Sequence, residues 1–402
     1  MNQSFLHNSI ISNRKLYIYT IIWYLIPLLY ISLVKEIILP TSITIVSLFF
    51  IFMTVGYTLS NKIQLKPRVN LSIDVYKLTK RIVVLTIALQ ILAFFRFYNT
   101  GINFLVHRNM IFEDADYLFG SSVLLTLYNS FLFPITICLL IYFLNLNLKN
   151  VQKKSNILLI IMFLIILFDG LIKFGRFQLL YILFLLFLNK DRLNIKNTHI
   201  LMLMTFVFVL SFLVIYFRQF YSDSSVEGFN AIFNYTTLVD SVISYQYYGY
   251  MMLDKLTSNV PFFGYVTTGH SFAYLFYLAK LFTTKFGIFF NFPWENVNLL
   301  VSNGIYFSSI QNSINAFTTN FLPIFLDFGY LGIVFFSLFS GFVLGYKTLS
   351  PFFQSTKLIY FFVLIFGLYQ PLIIDFYFIF CNPLFYLLLA KIYYIKYGNI
   401  MS

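Results

Sequence analysis

Charge is scarce in this chain. Only 10% of its 402 residues are Asp, Glu, Lys or Arg, whereas a soluble surface carries roughly 25–35%. A water-soluble globular protein is therefore excluded. Cysteine is scarcer still: Cys138 and Cys381 both sit in apolar runs, with no partner at a ligand spacing. That pattern argues against a disulfide framework or a metal site and for two small buried side chains. The chain also lacks a P-loop, dinucleotide-binding glycines, an HExxH pair and a nucleophile elbow. It shows no internal repeat and no matched pair of broken helices, which counts against a transporter built from inverted repeats.

Hydrophobic residues are abundant: 60% of the chain, with 21% aromatic and a mean hydropathy of +0.82. The apolar runs recur along the whole length, which implies an all-α polytopic integral membrane protein. A window of about 19 residues gives ten transmembrane helices. They fall near Leu16–Val34, Ile37–Leu59, Ile82–Tyr98, Ser121–Leu144, Asn156–Ile172, Phe177–Leu188, Ile200–Phe217, Phe321–Tyr346, Leu358–Gln370 and Phe376–Ile395. The first, behind Arg14 and Lys15 and with no small-x-small cleavage site after it, reads as a retained signal-anchor. Residues 1–217 thus form a seven-span bundle, 218–320 one large loop, and 321–402 a three-span segment, together one membrane domain.

Alternating the spans from a cytoplasmic N-terminus leaves two thirds of the 27 lysines and arginines on the inner side, but only Asp74 and Asp191 of the 14 acidic residues. That is the asymmetry of the positive-inside rule. Both termini are then cytoplasmic and the 218–320 loop lies outside the cytoplasm. The net charge of +13 is accounted for by inner loops facing anionic lipid, not by nucleic acid. Nucleotides are not available to the outer loop.

Chemistry is expected around that loop. Arg176, in the turn KFGR, follows Lys173 and Asp169; it either pairs with Asp169 or snorkels to headgroups, or its guanidinium grips a phosphate bidentately. Arg218 opens the loop in YFRQFYSD, as an interfacial anchor or as a second phosphate ligand. Arg96 and Arg108 read as structural. His270 is the sole histidine of the loop, a hydrogen-bonded structural residue or a proton acceptor. Asp223, Glu227, Asp240, Asp254 and Glu295 are solvated, N-capping or candidate bases. Asp327 lies inside an apolar run and reads as a buried structural carboxylate, paired with an arginine or capping a broken helix. Gly329, Gly332, Gly341 and Gly345 mark a close-packing face. The segments FNYTTLVDSVISYQYYGY and SFAYLFYLAKLF read as interfacial helices, with sugar stacking by Tyr247, Tyr248 and Tyr250 as the alternative.

The glycine–arginine turn (Gly175, Arg176), the arginine opening a large outer loop (Arg218) and the exit NAFTTNFLPIFLDFGYLG, with Asn315, Thr318, Asp327, Gly329 and Gly332, together resemble the O-antigen polymerase (Wzy) family of oligosaccharide repeat-unit polymerases. More distantly the chain is similar to the O-antigen ligases. The resemblance implies a GT-C-like glycosyltransferase of the bacterial inner membrane. Its partners would be undecaprenyl-pyrophosphate-linked glycan donor and acceptor, membrane lipid and a chain-length regulator. It implies no cofactor, because a lipid pyrophosphate is already a good leaving group and the site has only to hold it and orient an acceptor hydroxyl. Arg176, Arg218 and Lys173 would bind the pyrophosphate; His270 and Asn315 would complete the site. The ligases carry a His-Asn pair at the exit, whereas Asn315 here has no adjacent histidine, so His270 or a loop carboxylate is left as the base. A flippase for the same lipid-linked units is the alternative of another class.

The orientation is directly testable. Alkaline phosphatase fused after Asn259 is expected to be active, and the same fusion after Lys154 inactive. The reverse pattern would overturn the assigned sidedness.

Overall fold

The computed structural model describes residues 12–65, 75–99, 106–107, 110–111, 114, 116–145, 153–173, 177–189, 247–267, 269–284, 286–302, 305–307, 312–314, 319–348 and 351–367, with isolated positions between 196 and 209. These residues are mostly helical. In chain order they form α1 (Asn13–Leu33), α2 (Pro40–Ser60), α3 (Val75–Asn99), α4 (Ser122–Leu127), a π-turn (Tyr128–Leu132), α5 (Phe133–Asn145), α6 (Lys153–Lys173) and α7 (Phe177–Leu188). There follow α8 (residues 247–257), α9 (Ala273–Thr284), α10 (Pro293–Ser302), α11 (Phe321–Gly345) and α12 (Pro351–Phe366). Two short ladders complete the set: β1 (Gln64–Leu65) runs parallel to β4 (Lys347–Thr348), and β2 (Ile305–Phe307) pairs antiparallel with β3 (Asn312–Ile314).

Four of the described helices are long and apolar enough to cross a membrane: Asn13–Leu33, Pro40–Ser60, Tyr76–Asn99 and Phe321–Gly345. Their surfaces suit lipid. On α1, Ile18, Ile22, Ile26, Leu29 and Leu33 are exposed at intervals of one turn, while Leu16, Thr20, Tyr24, Leu28 and Ile31 are buried. An outward aliphatic stripe of that kind has no stable place in water, so the chain is a helical membrane protein. The seventh and tenth expected spans lie mostly or wholly outside the described residues.

The chain forms two compact units. One comprises 1–11, 69–234 and 381–402; the other comprises 12–68 and 235–380. In the first unit, α3, α5, α6 and α7 pack side by side. The fourth expected span is interrupted there by the π-turn Tyr128–Leu132, a register slip of the kind that re-aims side chains within an otherwise continuous helix.

In the second unit α11 is the central element. Over its most apolar stretch 67% of its residues are buried, against 33% for α1 and α2. Its densest packing is on α2, where glycines let the two backbones meet. A Cβ at Gly341 would lie 2.0 Å from the Met53 carbonyl oxygen, one at Gly56 2.2 Å from that of Leu338, and one at Gly345 2.0 Å from Ser60 Oγ. Close approach through small residues is the main source of attraction between helices in lipid, where burial of apolar surface contributes little. Beside this seam Tyr24, Phe49, Phe321 and Phe336 form an aromatic core, with Phe321 5.3 Å from Tyr24 and 5.1 Å from Phe49, ring centre to ring centre.

Helix ends in this unit are closed by side chains from elsewhere. Asp254 Oδ1 accepts from the Thr41 and Ser42 amides at the start of α2, at 2.8 and 3.3 Å. Trp23 Nε1 and Tyr24 Oη donate to the carbonyls of Ile365 and Leu364 at the end of α12. Lys357 is buried, donates to Asn13 Oδ1 at 2.7 Å and to the Tyr346 carbonyl, and lies over the Tyr346 ring. The contacts to the Thr41 and Ser42 amides and to the Leu364, Ile365 and Tyr346 carbonyls satisfy backbone groups that a helix terminus leaves open.

One expectation changes. Of the first aromatic segment read as interfacial, the described part belongs to the core: Tyr247 and Tyr250 are buried, Tyr247 stacks with Tyr30, and Tyr250 Oη donates to the Tyr24 carbonyl at 2.9 Å. An aromatic belt needs one outward face, and this segment is covered by α1 instead. The second segment, α9, keeps Phe272, Leu275 and Tyr277 at the surface.

Gly341→Ala places a methyl group against the Met53 carbonyl, and the loss of stability is expected to be about 1–3 kcal/mol. Thermal unfolding of the detergent-solubilised protein measures it. An unchanged melting temperature would mean that the α2–α11 seam is not closely packed.

Candidate functional site

The candidate site begins with a break in α11. Gly329 has φ 57° and ψ −146° inside an otherwise helical run. The backbone groups freed there are taken up by the segment before α9. The Tyr265 amide donates to the Leu326 carbonyl at 2.8 Å, and the Tyr330 amide to the Phe262 carbonyl at 3.1 Å. The two strands of chain cross so closely that only glycine fits on either side. A Cβ at Gly329 would lie 2.0 Å from the Phe262 oxygen, and one at Gly264, with φ 70°, 2.6 Å from the Gly329 nitrogen. Both glycines also hold positive φ, which L side chains adopt only under strain.

This crossing brings Asp327 and His270 together across 57 positions. Asp327 is fully buried and His270 nearly so. Asp327 Oδ1 accepts from His270 Nδ1 at 2.7 Å, from Thr267 Oγ1 at 2.6 Å and from the His270 amide at 3.2 Å; Oδ2 accepts from the Ser271 amide at 2.6 Å. Such a donor set stabilises an ionised carboxylate against the cost of burial. Ser271 Oγ donates in turn to the Pro323 carbonyl at 3.2 Å. Tyr265 and Trp294 flank the imidazole, with centroids 6.3 and 6.4 Å away.

Beside the pair an open groove of about 900 Å³ runs along α11, lined by Phe263, Val266, Phe272, Phe328, Phe335, Phe339 and their neighbours. That is the upper end of small-molecule site volumes, roughly 300–1,000 Å³. Ser271, the residue after His270, is its one polar lining residue. The groove therefore offers hydrocarbon contact along a membrane helix, and its Ser271 is the chain neighbour of His270.

The first unit holds a second polar cluster. Asp169, buried in α6, accepts from Tyr128 Oη at 2.8 Å and from Lys173 Nζ at 2.7 Å. Gln90 Nε2 donates to Tyr128 Oη at 2.9 Å and to the Ile165 carbonyl at 2.8 Å. Lys173 Nζ also donates to Asn129 Oδ1 at 2.8 Å and lies over the Tyr128 and Phe133 rings. The π-turn supplies both Tyr128 and Asn129. Nearby His107 is buried, with Nδ1 2.7 Å from Tyr117 Oη and Nε2 3.0 Å from the Ile172 carbonyl. A carbonyl only accepts, so Nε2 carries the proton and Nδ1 accepts from the tyrosine. Burial holds this imidazole below its ordinary pKa and keeps it neutral.

Of the residues expected at the site, His270 and Lys173 are described, one in each unit. Arg176, Arg218 and Asn315 lie outside the described residues, as do Asp223, Glu227, Asp240 and Arg108. Asp254 is an N-cap, and Glu295 pairs with Lys280 at 2.5 Å. Asp327 is a buried carboxylate beside a helix break, as expected, but the partner found for it is a histidine and not an arginine. Sequence reasoning missed that pairing; the signal for it was a lone carboxylate in an apolar run together with a lone loop histidine. Comparison with known protein families, curated proteins and solved structures gave no match.

The buried Asp169–Lys173 pair tests the reading of the second cluster as structural. Asp169→Ala strands a cation among aromatic rings, and a loss of about 3–5 kcal/mol is expected. Replacing both residues, as Asp169→Leu with Lys173→Met, should cost less than the single change. Thermal unfolding in detergent compares them; equal stabilities for wild type and Asp169→Ala would remove the pair from the fold's supports.

Proposed function

We propose that the protein is a glycosyltransferase of the bacterial inner membrane that polymerises undecaprenyl-pyrophosphate-linked oligosaccharide repeat units into O-antigen or a related surface polysaccharide. The reading takes the full chain as ten spans, with both termini cytoplasmic and the 218–320 loop on the outer face. The observation that carries it is that one broken membrane helix, α11, both lines an open apolar groove and, through Asp327, holds the imidazole of His270, the chain neighbour of the groove's Ser271. A substrate with a long hydrocarbon tail and a polar reacting head requires those two features side by side. The charge asymmetry along the chain supports the outer-face chemistry, and the arginines of the KFGR turn and of the loop opening support recognition of a diphosphate.

In this reaction the hydroxyl oxygen of the acceptor's terminal sugar attacks the anomeric carbon of the donor glycan. The bond between that carbon and the phosphate oxygen breaks, and the lipid pyrophosphate leaves with the electron pair. The hydroxyl proton passes to His270. Arg176 and Arg218, as the resemblance implies, hold the pyrophosphate and offset its growing charge, and Asn315 orients the acceptor. Charge stabilisation of this kind is usually the largest catalytic contribution, about 3–4 kcal/mol for a single well-placed donor. No cofactor takes part. The partners are the two lipid-linked glycans, membrane lipid and a chain-length regulator.

Arg176→Ala and Arg218→Ala, expressed at wild-type level in a strain lacking the gene, are each expected to reduce polymer at least a hundredfold. Gel electrophoresis of surface glycan should then show single repeat units and no ladder. Normal ladders from both variants would remove the diphosphate clamp. Failure of even single units to reach the surface would replace the polymerase with a transporter of the same lipid-linked units.

A further inference from the structure

The proposed transfer needs a base, and an imidazole can act as one only if the nitrogen facing the substrate is unprotonated. The structure decides which nitrogen that is. Asp327 Oδ1 stands 2.7 Å from His270 Nδ1. The same oxygen already accepts from Thr267 Oγ1 and from the His270 amide, and Oδ2 accepts from the Ser271 amide. Every one of these contacts is a donor pointing at a carboxylate, so Nδ1 carries a proton. A neutral ring then has its lone pair on Nε2. Among the described residues Nε2 makes no hydrogen bond, and it is not among the fully buried polar atoms without a partner. The His270 side chain keeps 7% of its surface exposed while that of Asp327 keeps none.

We propose that Asp327 is a positioning residue: it fixes His270 in the Nδ1–H tautomer and leaves Nε2 as the basic atom, on the residue next to Ser271 of the groove lining. This deepens the polymerase reading and rests on it for the use to which the base is put. The geometry is over-determined. Thr267 pins the carboxylate from one side and the two backbone amides pin it from another. The Gly264–Gly329 crossing sets the distance between the two chain segments. A loop histidine would ordinarily sample several rotamers; this one has a single seat. Ser271, the next residue, contributes to the groove lining.

Asp327→Asn separates the tautomer from the packing. The asparagine keeps the volume, and its oxygen still accepts from the Ser271 amide. Because the Ser271 amide contact at 2.6 Å is shorter than the His270 amide contact at 3.2 Å, the oxygen keeps the Ser271 side at the expense of the His270 amide bond; the NH₂ group then faces Nδ1 as a donor, which moves the imidazole proton to Nε2. A wrong tautomer with intact geometry is a known way to lose an imidazole base.

The test uses the full-length protein in detergent and diethyl pyrocarbonate, which acylates only an accessible unprotonated imidazole nitrogen. Mass spectrometry of the His270 peptide reads the rate, and His107, with both nitrogens engaged, is the slow internal reference. Wild type is expected to react at His270, and Asp327→Asn at least tenfold more slowly. Thr267→Val, which leaves the Asp327–His270 bond in place, should stay within threefold of wild type. Equal rates for Asp327→Asn and wild type would overturn the assignment. If Asp327→Asn does not fold, ¹⁵N-histidine spectra of the wild type decide instead. There are four histidines in all, and His270→Gln identifies the signal. A pyrrole-type Nδ1 with a pyridine-type Nε2 supports the proposal, and the opposite pattern or a doubly protonated ring ends it. Normal glycan ladders from His270→Gln, with the labelling as expected, would remove His270 from the transfer while leaving its tautomer assigned.

Discussion

A helix inside a membrane cannot leave its backbone open. Each unsatisfied amide or carbonyl costs several kcal/mol in hydrocarbon, so a helix that breaks there must find a partner for what it frees. α11 breaks at Gly329, and much of the second unit follows from that. The partner is the chain at Phe262–Tyr265, which exchanges backbone hydrogen bonds with Leu326 and Tyr330. Once that segment is tied to the break, Thr267, His270 and Ser271 lie against Asp327. The break thus creates the seat for the loop, and the loop brings the donors that make a buried carboxylate tolerable. Removing either half would leave polar groups in a place that cannot hold them.

The same helix does two further jobs along its length. Past the break, its glycine-bearing face lies on α2 through Gly341 and Gly345, which fixes it rigidly. Its other face, through Phe328, Phe335 and Phe339, lines the open groove. One element therefore carries a rigid seam, an apolar track and a polar end, and no hinge is needed to bring them together. Catalytic precision depends on such support more than on the identity of the reacting groups.

The spans that can be compared were legible. As helices, the first, second, fifth, sixth and eighth expected segments fall within a few residues of α1, α2, α6, α7 and α11; of these α1, α2 and α11 are long and apolar enough to cross a membrane, because an uninterrupted apolar run of that length has few alternatives. Gly341 and Gly345 were legible as a packing face for the same reason: small residues at helical spacing have one common use in lipid. Gly329 reads identically in sequence and does something different, since a positive φ is set by the tertiary crossing and leaves no local mark. The Asp327–His270 pair was hidden by distance along the chain. Nothing in the neighbourhood of either residue names the other, although a carboxylate in an apolar run demands some partner. Residues 247–250, the described end of the first aromatic segment, were read as interfacial because an aromatic run looks the same whether it faces headgroups or fills a core; only the neighbouring α1 decides.

The two buried polar clusters differ in a way that separates support from chemistry. Around Asp169 the bonds close on one another. Gln90 donates to Tyr128, Tyr128 to Asp169, and Lys173 to Asp169 and Asn129. His107 spends one nitrogen on Tyr117 and the other on the Ile172 carbonyl. A network of this kind gains from every bond and offers nothing to a ligand. Around Asp327 the donors converge on the carboxylate, yet among the described residues the imidazole they hold is bonded through Nδ1 alone. Burial on one side with a free lone pair on the other costs stability that a purely structural histidine has no reason to forgo, since a second hydrogen bond would contribute about 1 kcal/mol. That asymmetry, more than the residue types involved, is what separates the Asp327–His270 pair from the closed network around Asp169.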